Sequence, residues 1–206
     1  MSDENIEIEN ENTEDENKKV TNNKIVIPKE KGFSFLMFDW FKVLLPILTI
    51  AFCVCTFVFK ISTVSGLSMA DTLHNNDKLI MTNYYQTEPQ SGDIVIISHG
   101  QQFKEPLVKR VIATQGQKIV INYEDDTVKV DGKTIDESYI YEKDMKDLGF
   151  TNNSITVPQD MVFVMGDNRN NSLDSRSDEV GLIPVKDVIG KAQVIVSPIN
   201  RIQYLY

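Results

Sequence analysis

Between Val43 and Phe59 the chain runs for 17 residues without a charge, and the sequence on either side of that run differs sharply in character. A run of this length lies at the short end of what can span a bilayer. Phe33 to Phe41 extends the apolar character toward the N-terminus, with Trp40 placed as an interfacial anchor. Asp39 and Lys42 stand three apart and can pair on one helix face. Pro46 falls in the first turns of the uncharged stretch, where it can kink a helix. A cleavable leader begins near residue 1 with a short basic segment. Here the run starts late, behind a long hydrophilic lead, so a retained membrane anchor helix over 33–60 is the expectation.

The flanks orient it. Lys18, Lys19, Lys24, Lys29, Lys31 and Lys42 precede the core, and after Lys60 the next basic residue apart from histidine is Lys78. The excess of lysine before the span places the N-terminus in the cytoplasm and residues from about 61 onward outside the cell membrane, in a single pass. The net charge of -9 is unevenly spread, since residues 1–17 carry eight Asp or Glu and no Lys or Arg, leaving 22 acidic against 21 basic residues in the rest. Residues 1–32 therefore read as a disordered acidic tail, a solvating extension or else a docking site. With no basic stripe and a pI of about 4.8, nothing suggests nucleic acid. Cys53 and Cys55 both fall within the span, so the exported part has neither a disulfide nor a cysteine-based zinc site. No metal or other cofactor is expected.

Beyond the span the pattern is one of strands and turns. Asp93–Ile97, Leu107–Ala113, Lys118–Asn122, Thr127–Val130, Ile155–Val157, Met161–Met165 and Ala192–Val196 are apolar or β-branched segments. Asp131-Gly132 after the fourth is a strong hairpin signal. Tyr141–Leu148 is left open as a short helix or a loop. The fold class is mainly β, an antiparallel domain over 61–206 with its sheet edges protected.

Three segments carry chemistry: Ser65-Gly66-Leu67-Ser68-Met69-Ala70-Asp71-Thr72-Leu73, Lys109-Arg110-Val111-Ile112, and Gly166-Asp167-Asn168-Arg169-Asn170-Asn171-Ser172-Leu173-Asp174-Ser175-Arg176. A serine needs a base to become a nucleophile, and a lysine serves when burial lowers its pKa. Pro106-Leu107-Val108-Lys109-Arg110-Val111-Ile112 surrounds Lys109 with the apolar residues that would do so. In order and spacing these segments, with the run before them and Gly92-Asp93-Ile94-Val95, resemble bacterial type I signal peptidases of the one-anchor, Gram-positive kind, over roughly residues 36–203. The resemblance implies a membrane-bound serine endopeptidase that removes signal peptides from exported preproteins, with signal peptides and the lipid bilayer as its partners.

By that resemblance Ser68 is the nucleophile and Lys109 the general base. Ser172 matches the serine that hydrogen-bonds the lysine ammonium, although alone it would read as a turn residue. Asp167, Arg169, Asp174 and Arg176 alternate in sign and read as a salt-bridged support for the dyad, and Asn168 reads as a turn amide. The Ser68 N–H is the default oxyanion donor. Gly66 stands where some relatives have a helping serine. Val64, Met69, Leu73 and Val108 read as lining shallow apolar substrate pockets, or equally as ordinary core.

Three residues depart from the family pattern: Asp71 in place of a usual proline, and Ala113 and Gln115 in place of glycine and proline. A carboxylate at 71 facing the dyad would raise the Lys109 pKa; one facing solvent would not. A histidine base is the rival chemistry, with His74 and His99 available, but neither occupies the matched position. A self-cleaving repressor would carry a DNA-binding segment in place of the anchor, and an inactive assembly factor would lack the serine or the lysine.

Overall fold

The structure, a computed structural model, describes residues 33–82, 88–98, 105–150 and 153–205. The acidic tail 1–32 and His99 lie outside them. The chain divides into two compact units, up to Pro46 and from Ile47 onward.

Helix α1 (Phe33–Val58) begins in the first unit, ends in the second and is continuous across Pro46. Lys42 lies 3.4 Å from Asp39 and over the Phe38 ring, the i,i+3 pairing expected on one face. Trp40, Leu45, Leu48 and Phe52 are exposed. Among the described residues no helix is long and apolar enough to cross a membrane. Helix α1 covers most of the anchor expected over 33–60, and Phe59 and Lys60 belong to the following strand.

That strand, β1 (Phe59–Thr63), pairs along its whole length with β2 (Lys78–Thr82). The sequence pattern missed both, because β1 is apolar only in alternation after a long apolar run and β2 has three apolar residues between polar ends. The remaining strands are β3 (Ile94–Ile97), β4 (Leu107–Thr114), β5 (Lys118–Asn122), β6 (Thr127–Val130), β7 (Lys133–Thr134), β8 (Ser154–Thr156), β9 (Met161–Met165), β10 (Ile183–Pro184), β11 (Val188–Ser197) and β12 (Gln203–Tyr204). All pairings are antiparallel. One sheet runs β1-β2-β11-β3-β4-β9-β10, with β12 on β11; the other runs β7-β6-β5-β8. Tyr141–Leu148 is an irregular loop.

β3 shows why its sequence is an unbroken apolar run: Ile94 and Ile96 pack into one core cluster, Val95 and Ile97 into another. Strands buried on both faces lose the polar half of the alternation. β9 repeats this, with Val162 and Val164 on one side and Phe163 and Met165 on the other. The β6–β7 connection is a two-residue turn in which Asp131 (φ 51) and Gly132 (φ 78) both take positive φ, the requirement that the Asp-Gly pair satisfies.

Candidate active site

Lys109 enters from the middle of β4, the strand held between β3 and β9. It is 3% exposed. Its Nζ donates to Ser68 Oγ at 2.7 Å and to the Val108 carbonyl at 3.1 Å. Burial lowers its pKa from 10.5 to about 8, against the opposing pull of the Asp174 and Asp167 carboxylates and with some help from Arg176. Desolvation penalises the charged ammonium, so the amine is the form favoured by its surroundings as pH rises through 8.

Ser68 sits in the loop between β1 and β2, and local bonds fold that loop back on itself. Backbone bonds close its neck, with Val64 N–H to Asp77 O at 2.9 Å and Asn76 N–H to Val64 O at 2.9 Å. Gly66 (φ 94) makes a turn that a side chain would strain, and its N–H donates to Asn75 Oδ1 at 3.0 Å. From across the site, Asn168 donates its backbone N–H to the Ser68 carbonyl (3.0 Å) and its side-chain amide to the Leu67 carbonyl (3.2 Å). Asn168 therefore reaches well beyond a turn amide's role: it stitches the third motif to the first.

Gly166 is the closest approach in the site. A Cβ there would collide with the Ser172 hydroxyl and come within 2.5 Å of the Ser68 carbonyl oxygen. Ser172 is buried, and its Oγ has no hydrogen-bond partner among the described residues. The bond to the Lys109 ammonium that the family resemblance implied is therefore unmade here, where Lys109 Nζ is engaged by Ser68 and Val108.

The four alternating charges of the third motif are all buried, but only two of them pair with one another. Arg176 grips Asp174 through Nε (2.8 Å) and Nη2 (2.9 Å), while Asp174 Oδ2 also accepts the Gly166 N–H (2.9 Å). Asp167 instead accepts Arg110 Nε (2.9 Å), Arg110 Nη2 (2.7 Å) and the Thr72 hydroxyl (2.6 Å). Arg169 pairs with Glu137. The sequence reading quotes Arg110, Thr72 and Gly166 within the three segments but gives them no role, and it does not single out Glu137. Arg110 follows Lys109 on β4, and consecutive strand residues face opposite ways. Arg110 also lies 4.0 Å from the Tyr139 ring, and burial pushes that tyrosine up to about 12.

A cleft of about 550 Å³ opens at the dyad. Ser65–Ser68 form one wall and Asn170–Leu173 another, with Leu107, Lys109, Leu148 and Ser177 completing it. Val64, Met69 and Leu73 do not line it. They are buried in a core cluster with Leu79, Ile94 and Ile195, with Val108 packed against it. Of the two readings open for these four residues, substrate pocket or core, the packing here is that of core. Their chemistry suits both places, and sequence alone leaves no means to choose. The apolar residues at the cleft are Leu67, Leu107, Leu148 and Leu173.

His74, the described histidine, faces elsewhere. Its Nε2 lies 3.1 Å from Asp71 Oδ1. Asp71 is exposed and is not among the charges that shift Lys109.

Residues 37–197 match the family described as signal peptidase, peptidase S26. A signal peptidase I P of Bacillus subtilis subsp. natto is 38% identical over 184 residues, covering 85% of this chain and 97% of its own. A signal peptidase I of Bacillus licheniformis is 35% identical over 175 residues, covering 81% of this chain and 92% of its own. A crystal structure of a signal peptidase I from Enterococcus faecalis V583 aligns at 30% identity over 51% of this chain and 97% of that one, with a TM-score of 0.43. The chain is thus a peptidase, a hydrolase of peptide bonds. It belongs to the signal peptidase, peptidase S26, family.

Proposed function

We propose that this protein removes N-terminal signal peptides from exported preproteins, with Ser68 as nucleophile and Lys109 as general base. The 2.7 Å contact between Lys109 Nζ and Ser68 Oγ carries the reading. In the neutral amine the contact reverses, so that the serine O–H donates to the nitrogen lone pair and is ready for transfer. Ser68 Oγ attacks the scissile carbonyl as its proton passes to Lys109, and the Ser68 N–H steadies the oxyanion. The lysine ammonium then protonates the leaving amine, which departs as the new N-terminus of the mature protein. A water, deprotonated by Lys109, hydrolyses the ester on Ser68 and frees the signal peptide. Each proton taken is returned, and no cofactor is required.

Membrane attachment belongs to the same reading. The uncharged run from Val43 to Phe59, with the lysines before it, supports a single anchor with its N-terminus in the cytoplasm and the β domain outside. Ser68 follows the run by nine residues, so the scissile bond would lie close to the bilayer surface. An extended chain advances about 3.3 Å per residue, which confines cutting to bonds just past a signal peptide's apolar core.

Purified full-length protein in detergent, given a preprotein with alanine one and three positions before its cleavage site, should cut after the first of these. Phe or Lys at either position should stop the cut. Undiminished cleavage of those substrates, or none of the parent, would contradict the proposal.

A further inference from the structure

The loop that carries Ser68 has a second limb, Thr72–Asp77, and a residue from the C-terminal end of the chain holds it. Asp77 is buried. Its Oδ2 accepts the His74 N–H at 2.8 Å. Arg201 Nε lies 3.2 and 3.3 Å from the two Asp77 oxygens, and Arg201 Nη2 donates to Oδ2 at 3.1 Å. The same Nη2 donates to the Thr72 carbonyl at 3.3 Å, and Nη1 lies 3.5 Å from His74 Nε2. One guanidinium thus engages three residues of the limb through a rigid planar fork whose geometry an ammonium reproduces only in part.

Thr72 connects this grip to the reacting groups. Its carbonyl is held by Arg201, and its hydroxyl by Asp167, whose charge acts on Lys109 and which also binds the guanidinium of Arg110, the residue after Lys109 on β4. Arg201 itself is fixed in a tight turn, Ile199–Arg201, by its N–H to the Pro198 carbonyl (2.9 Å). Beyond β12, Leu205 is buried in the same cluster as Met69 and Leu73. Arg201 lies past residues 37–197, the portion that matches the family.

We propose that Arg201 is a positioning residue for the acyl transfer. Through Asp77 and the Thr72 carbonyl it sets the nucleophile loop at the height where Ser68 Oγ meets Lys109 Nζ. It does not touch substrate, so its loss loosens the nucleophile without weakening the hold on the signal peptide. The proposal rests on the Ser68–Lys109 reading above.

The test is steady-state cleavage of one preprotein by the full-length protein, with rates normalised to the folded fraction from near-UV circular dichroism. Arg201→Ala should lower kcat about tenfold with KM within about twofold, since a misplacement below 1 Å at reacting atoms costs that much. Arg201→Lys should recover part of it, to about threefold below wild type. Asp77→Asn should also be slow, and the double variant no slower than Arg201→Ala, because the pair acts as a unit. Wild-type kcat in folded Arg201→Ala, a change confined to KM, or additive losses would overturn the proposal. If Arg201→Ala does not stay folded, Arg201→Lys decides: a threefold lower kcat supports the proposal, and a wild-type kcat overturns it. Failure of the wild type to cut the preprotein would instead contradict the proposed function.

Discussion

At the scale of single residues, the proposed role of Lys109 sets an expected pH response. Because the proposed reaction needs the neutral amine and its pKa is about 8, kcat/KM should climb tenfold per unit below pH 8 and level off above it. Stability carries the opposite face of the same shift. Between pH 8 and 10.5 the unfolded chain holds a proton on this lysine that the folded chain has lost, so stability rises with pH across that window. Below it the buried charge costs on the order of 3 kcal/mol. Lys109→Met should therefore be inactive yet melt higher than wild type at pH 7, with the gap closing above pH 10. Calorimetry at the two pH values checks the sign. Asp71 supplies a contrast: its carboxylate meets His74 in solvent, so Asp71→Pro should keep the wild-type acidic limb, and a limb moved to lower pH would show that its charge reaches the dyad. Ser68 and Lys109 could be singled out because each lies in a short motif with its own spacing. That the Ser172 hydroxyl would stand without a hydrogen-bond partner among the described residues was not legible, because motif spacing does not encode how two loops pack.

At the scale of elements, β5, β6 and β9 fall where their sequence patterns place them, the first two by alternation and β9 as an apolar run buried on both faces. β1 and β2 escaped because a half-exposed edge pair carries few apolar residues next to an anchor-like run. The supporting ion pairs were only half legible. Alternating signs in the third motif announced that its charges would be paired, but Asp167 finds Arg110 57 residues away, a partner no local pattern names. That pair joins β4 to the third motif in a buried setting, so removing one partner strands a charge. Arg110→Met should lower stability by about 3–5 kcal/mol, with a fall in the urea midpoint as the readout. The loop containing Gly166 should tolerate even less. Gly166→Ala must displace either the Ser172 hydroxyl or the Ser68 carbonyl, and cleavage should fall at least 100-fold while the fold persists. Near-normal cleavage by that variant would mean that the approach is not tight in solution.

At the scale of the whole molecule, the β domain brings three distant segments to one cleft: the loop after β1, the middle of β4 and the turn after β9. No helix among the described residues meets the length and apolarity for crossing a membrane, so the proposed anchor rests on the uncharged run and its flanking lysines. In sealed inside-out vesicles, added protease should trim only the N-terminal segment and spare the β domain; digestion of the domain would reverse the topology. The central claim is that Ser68 attacks and Lys109 takes its proton. The measurement that reaches it most directly is cleavage of one preprotein at pH 9 by wild type, Ser68→Ala and Lys109→Ala, with folding verified for each. The account predicts processing by the wild type and none by either folded variant, and cleavage near the wild-type rate by either one would contradict it.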